Sequence, residues 1–152
     1  MTKLVDAATV FSQDNIVDRF IQVYQSLSAN NLEILHDIYA EDIEFIDPVH
    51  RISGFENVYR YMETMYKNLH QYQITVLDVV DNQSTAFLDW SLSFIHPRLN
   101  RGEWVTIPGA TKICFEKKIH YHCDFYDLGA MIYENIPLYG GVTRAIKRRI
   151  AK

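Results

Sequence analysis

Apolar and polar residues alternate between Lys118 and Tyr126. The alternation puts His120, His122, Asp124 and Tyr126 on one side of an extended segment and Ile119, Tyr121, Cys123 and Phe125 on the other. Histidines and a carboxylate on one strand face can do two kinds of chemistry. An imidazole can tune the carboxylate or relay its proton, which makes an acid/base pair. Alternatively, His120, His122 and Asp124 can ligate a metal ion, because residues i and i+2 of a strand lie side by side. No second local cluster of ligands accompanies them, and the expectation is no metal and no cofactor. A third reading leaves both histidines exposed at a sheet edge, with Asp124 bonded locally. A second carboxylate of interest closes another alternating stretch, in which Ile43, Phe45 and Asp47 point one way and Glu44 and Ile46 the other, until Pro48 ends the strand. No G-x-S-x-G, P-loop or G-x-G-x-x-G is present, so serine hydrolysis, nucleoside triphosphate chemistry and dinucleotide binding lose their usual support.

These residues need elements to position them. Ile16, Val17, Phe20, Ile21, Tyr24 and Leu27 recur at helical spacing, with Asp14 or Asn15 as cap. Asn30 and Asn31 interrupt that helix and introduce a second, short one with Leu32, Leu35, Ile38 and Tyr39 inward. After Gly54 a third helix is marked by Val58, Met62, Met65, Tyr66 and Leu69. From there the spacing predicts strands at Tyr72–Val80, Thr85–His96, Glu103–Glu116 and Lys118–Tyr126, and Pro108-Gly109 predicts a bulge in the third of these. Asp89, Ser91 and Ser93 should face outwards, leaving Leu88, Trp90, Leu92 and Phe94 to the core or a pocket. Trp104 should lie at a mouth or an interface. Helices followed by a long meander make an α+β layout. A bent sheet closed on one side by helices is a cone with a cavity, and that is where a ligand goes.

The 152 residues suit one domain, with 48% hydrophobic and 22% charged residues. Cys114 and Cys123 form no CxxC pair and read as small core residues. With neither a membrane-length apolar run nor a signal peptide at the N-terminus, the expected location is cytoplasmic. The net charge of −4 is uneven: residues 137–152 carry Arg144, Lys147, Arg148, Arg149 and Lys152 without an acid, and the rest of the chain holds 10 bases and 19 acids. So acidic a body argues against nucleic acid as a partner. The expected division is a domain over 1–136 and a basic helical tail over 137–152. In the tail Val142, Ile146 and Ile150 form a stripe at i, i+4, i+8 beside the basic residues. Such a helix can rest weakly on an anionic membrane through 142–152. The reading preferred here is that the stripe packs on the sheet and the charges are solvated.

Further motifs carry a resemblance. Ser28-Ala29-Asn30-Asn31-Leu32, Tyr39-Ala40-Glu41-Asp42 and Ile46-Asp47-Pro48-Val49-His50, followed by Gly54 and a helix, resemble the ketosteroid isomerases and SnoaL-like polyketide cyclases of the nuclear-transport-factor-2-like (NTF2-like) superfamily. His122-Cys123-Asp124 resembles the H-x-D near the end of the last strand in SnoaL-like proteins. The resemblance implies a cone-shaped, mostly antiparallel sheet packed on N-terminal helices, pairing as a homodimer through its outer face. It places Asp47 at the isomerase's general base, where desolvation at an apolar wall should raise the carboxyl pKa. It puts His122, Asp124 and Tyr126 on the cavity side, so that Asp47 and Asp124 divide base and acid roles while His122 tunes or relays the proton. Tyr66, Trp90, Leu92, Thr111 and Tyr126 become the substrate-binding candidates. The isomerase's oxyanion tyrosine falls at Val23, with Tyr24 turned about 100° away, and its protonated aspartate falls near Thr111, a weaker donor. Both departures count against steroid isomerisation itself. The implied activity is a cofactor-independent isomerase, cyclase or lyase acting on a small apolar carbonyl compound. The alternatives are a non-catalytic carrier of a hydrophobic ligand and a dimerising module.

Overall fold

Helix α1 (Ile16–Ser26) begins where the Asn15 side chain accepts a hydrogen bond from the Val17 amide at 2.9 Å, satisfying one of the donors a first turn leaves open. The computed structural model describes residues 15–136 and 139–150. The alternative cap Asp14, the N-terminal stretch read for a signal sequence, Pro137 and Lys152 lie outside them. Val17, Phe20, Ile21 and Val23 are buried from α1. The second helix is a single 3₁₀ stretch, Leu32–Asp37, and the chain turns straight from it into strand β1 (Tyr39–Ile46). A short strand β2 (Arg51–Ser53), which alternation does not reveal, hairpins back on β1. Helix α2 (Phe55–Lys67) starts after Gly54, whose φ of +86° suits only glycine. It buries Phe55, Val58, Met62 and Tyr66 along one face.

Four long strands follow: β3 (Gln71–Asp81), β4 (Thr85–Ile95), β5 (Val105–Phe115) and β6 (Ile119–Tyr126). The six strands form one sheet in the order β2-β1-β6-β5-β4-β3, in which only β1 and β6 run parallel. The architecture is the expected α+β one. The inner face of the sheet packs on α1 and α2 and encloses a cavity. Leu88, Trp90 and Phe94 of β4 are buried while Asp89 is exposed, in keeping with the period of two. No helix of the described residues is long and apolar enough to cross a membrane.

Three expectations are corrected here. Pro108-Gly109 is not a bulge, because the β4–β5 register runs unbroken through Pro108↔Ser91 and Gly109↔Trp90. Gly109 is needed instead because any Cβ there would sit inside the Trp90 ring. A real irregularity lies at the start of β6, where Phe115 pairs with Ile119 but Cys114 pairs with Tyr121. The extra residue is His120, which is exposed, while Ile119 is fully buried. The shared face of His120 and His122 is thereby broken. The third correction concerns the tail. Helix α3 (Leu128–Met131) and helix α4 (Tyr139–Ile150) follow the sheet. The stripe on α4 does not pack: Val142, Ile146 and Ile150 are 59%, 54% and 81% exposed. Two basic residues of α4, Arg144 and Lys147, engage the body instead. Lys147 Nζ lies 2.5 Å from Asp127 Oδ2 and 2.7 Å from Glu134 Oε1, and Arg144 donates to the Glu134 carbonyl at 2.9 Å.

Candidate acid–base site

Strand parity beyond the His120 bulge carries His122, Asp124 and Tyr126 inwards, and across β5 Asp124 pairs directly with Thr111. Asp124 Oδ1 accepts hydrogen bonds from the Thr111 hydroxyl at 2.5 Å and from His122 Nε2 at 2.8 Å. The Thr111 hydroxyl is itself oriented by Trp90 Nε1, which donates to it at 2.8 Å. On the far side of the imidazole, Nδ1 lies 2.6 Å from the Tyr39 hydroxyl, which is 2.5 Å from that of Tyr24. A neutral imidazole protonated on Nε2 satisfies every member of this chain: Tyr24 donates to Tyr39, Tyr39 to Nδ1, and Nε2 to the carboxylate. His122 is 1% exposed and its ring packs among Phe20, Tyr24 and Phe45, with centroids 5.4, 5.6 and 4.8 Å away. The imidazole is therefore locked in orientation. It stands behind Asp124 and does not line the cavity. Among the described residues Asp124 Oδ2 has no hydrogen-bond partner, and Asp124 lines the cavity.

That cavity encloses about 120 Å³ between α1, α2 and the inner face of the sheet. Asp47, Tyr66, Trp90, Leu92, Thr111 and Tyr126 all line it, so the structure brings these candidates to one space with Asp124. Tyr24 lines it too, whereas Val23 does not. The expectation that Tyr24 turns away is corrected, since Phe20 and Tyr24 are i, i+4 neighbours whose rings lie 4.6 Å apart on one helix face. Burial raises the Tyr24, Tyr39 and Tyr66 hydroxyls well above the ordinary tyrosine value, and Tyr72 rises to about 12. Tyr126 is raised by burial first and then by the charges of Asp47 and Asp124. These hydroxyls are donors at neutral pH, and among the described residues that of Tyr126 makes no hydrogen bond.

Asp47 behaves otherwise than expected. Its Oδ1 accepts from the Val49 amide at 2.7 Å and the His50 amide at 2.6 Å, and Oδ2 accepts from the Tyr61 hydroxyl at 2.6 Å. His50 Nδ1 is 3.2 Å from both oxygens. Burial pushes the carboxyl upwards, but Tyr61, the two amides and the His50 ring outweigh it, and the group is held below the usual carboxylate value. The anticipated upward shift is thus reversed. Asp-Pro-Val-His is an Asx-turn sequence, and its donors are the cause. Tyr61 and Tyr39 are the residues that sequence reasoning missed. Tyr61 could have been found four residues before Met65 on the inward face of α2. Tyr39 was placed inward, but on a helix, with no partner foreseen. Among the described residues no three His, Cys, Asp or Glu side chains gather as metal ligands.

Solved structures share this architecture. A candidate SnoaL-like polyketide cyclase from Jannaschia sp. superposes with a TM-score of 0.66 at 12% identity, over 82% of this chain and 97% of that one. A protein of ketosteroid-isomerase-like fold from Catenulispora acidiphila, bound to trimethylamine, gives 0.69 at 14% identity over 83% and 96%. An LEH-like epoxide hydrolase of M. tuberculosis gives 0.63 at 12% over 90% and 92%. At such identities the likeness shows the fold, the NTF2-like cone anticipated from the sequence. No curated protein sequence matches the chain. The family model for the SnoaL-like domain, however, matches residues 17–120, from the first turn of α1 to the start of β6. On that match, and with a sheet and cavity of the corresponding form, the chain belongs to the SnoaL-like domain family.

Proposed function

We propose that the chain is a cofactor-independent acid–base enzyme, an isomerase, cyclase or lyase, acting on a small apolar carbonyl compound with Asp124 as the proton-transferring group. The observation that carries this reading is the asymmetry of Asp124, which lines an apolar cavity: Oδ1 is held by Thr111 and His122, while Oδ2 has no hydrogen-bond partner among the described residues. A substrate with its α-C–H at Oδ2 passes that proton to the carboxylate, and the C–H electron pair moves into an enolate. The enolate oxygen then needs a donor that forms its bond as charge develops. Tyr126, two residues along the same strand face, supplies a protonated hydroxyl without another partner. Return of the proton from Asp124 to a different carbon completes an isomerisation; in a cyclisation the enolate carbon instead attacks a second carbonyl of the substrate, and the proton passes from Asp124 to the alkoxide so formed. Asp47, with both oxygens occupied, fixes the turn and Tyr61 in this reading, and the base role passes to Asp124. At about 120 Å³ the cavity is somewhat smaller than the ~150 Å³ apolar cavity known to take up benzene, which favours a single small ring over a steroid.

The test is α-hydrogen exchange of cyclohexanone in D2O followed by NMR. Wild type should exchange it above the buffer rate, Asp124→Asn should lose about 100-fold or more, and Tyr126→Phe should lose roughly tenfold or more. Exchange that survives Asp124→Asn unchanged would reject the assignment. A second reading, a carrier, is favoured by the complete mutual satisfaction of Tyr24, Tyr39 and His122, which a purely structural polar core would also have. It predicts ketone binding without exchange. A homodimer is proposed through the outer sheet face, where Phe87 and Phe125 are about half exposed. A monomer mass by light scattering at all concentrations would exclude it.

A further inference from the structure

A second cavity of about 600 Å³ adjoins the first, bounded by the end of α2, the end of β4 with the loop beyond it, and the segment from Met131 to Ile136. Its volume lies within the ~300–1,000 Å³ of ordinary small-molecule sites, and that of the inner cavity does not. Tyr61, Met65, Leu69, Phe94 and Met131 line both spaces. The partition is therefore made of side chains, and two of them are methionines, whose unbranched side chains re-pack readily. The polar groups of the outer space are unequally committed. Thr64 and Asn68 are bonded to carbonyls of α2, and Tyr61 to Asp47. His96 Nδ1 accepts from the Arg98 amide at 3.2 Å, which leaves the Arg98 side chain. Among the described residues the Arg98 guanidinium has no hydrogen bond or ion pair, and no acid lines the space. His96 is pulled below the usual histidine value by burial first, and then by Arg98 and His70, so basic groups converge at this mouth.

We infer that the outer cavity is the binding site for the anionic end of the substrate, and that the substrate class is an amphipathic carboxylate whose carboxyl group pairs with Arg98. Its apolar carbonyl-bearing end passes between Met65 and Met131 into the inner cavity, towards Asp124. The guanidinium matches a carboxylate with two parallel N–H donors, and the apolar lining covers the chain between the two ends. This assignment rests on the acid–base reading for the direction in which the substrate lies, but it is tested by binding alone.

Octanoate, 1-octanol and octylammonium serve as probes, titrated by calorimetry into the full chain. Octanoate should bind one to one and at least about tenfold more tightly than octanol, as expected for a charge-assisted pair. Arg98→Gln should remove that preference and leave octanol binding as it was, and Arg98→Glu should turn the preference to octylammonium. Arg149→Gln, on the exposed basic side of α4, should change nothing. Equal binding of octanoate and octanol by wild type would overturn the inference, as would a preference lost in Arg149→Gln and kept in Arg98→Gln. Asp124→Asn should keep the octanoate preference. Ketone exchange without that preference would defeat this inference alone, and the preference without exchange would defeat the acid–base reading alone.

Discussion

Replacing His122 by phenylalanine isolates what the polar chain behind the cavity contributes. The ring is retained, so the contacts with Phe20, Tyr24 and Phe45 at 4.8–5.6 Å survive in kind, and no large cavity opens. What disappears is the 2.6 Å bond from Tyr39 and the 2.8 Å bond to Asp124. A neutral buried hydrogen bond is worth about 1 kcal/mol net and one to a carboxylate about 1.5–3. Partial relief comes from groups that stay: Tyr39 keeps Tyr24, and Asp124 keeps Thr111. The expected loss is therefore about 2–4 kcal/mol, read as a lower urea midpoint at unchanged m-value. Tyr39→Phe removes the bonds to both Tyr24 and His122 and should cost about 2 kcal/mol, and combined with His122→Phe it should add less than its single effect, because the two changes remove a shared bond. A loss below about 0.5 kcal/mol for His122→Phe, or strict additivity with Tyr39→Phe, would refute the view that these groups form one connected network.

Asp47→Asn should cost roughly 1–2 kcal/mol at neutral pH through weakened turn bonds. Because the folded carboxyl lies below its ordinary value of 3.8, that contribution is present above pH 4 and fades as pH falls through the folded value, so wild type and variant should converge in stability in acid. A gap that widens below pH 4 would contradict the assigned donors. Gly109→Val should destabilise by about 1–3 kcal/mol through overpacking against Trp90 and should abolish ligand uptake by the inner cavity, both visible in denaturation and titration. The exposed stripe of α4, with Arg148 and Arg149 beside it, should bring the chain weakly onto anionic vesicles, with release as salt rises. Ile146→Glu combined with Ile150→Glu should eliminate the co-sedimentation, and equal sedimentation of both proteins would dismiss the contact.

Alternation along a strand reveals which residues share a face only while the register is unbroken. It therefore puts Asp124 and Tyr126 in the cavity and misplaces His120, because one extra residue at the start of β6 shifts the phase and leaves no mark in composition. Glycine after proline suggests a bulge from local chemistry, yet the requirement at Gly109 comes from an indole on the neighbouring strand, nineteen positions earlier in the chain. The same limit explains Tyr24. Matching position by position selects Val23, while the helix face itself, read from Phe20 by i, i+4, selects Tyr24.

The two carboxylates show why burial alone does not identify a base. Both sit at the wall of one apolar cavity, and a reading from desolvation treats them alike. Their difference lies in how many donors meet each oxygen. Asp47 stands at the head of an Asx turn, so the chain's own amides fill Oδ1 and a helix tyrosine fills Oδ2. Asp124 lies mid-strand, where its own backbone amides belong to the sheet ladder and only side chains reach it. Those side chains, Thr111 and His122, approach the same oxygen. The free oxygen of Asp124 thus follows from its place in the sheet, and the saturation of Asp47 follows from the turn after Pro48. On this fold, the carboxylate in the regular element is the one left with an oxygen for a substrate.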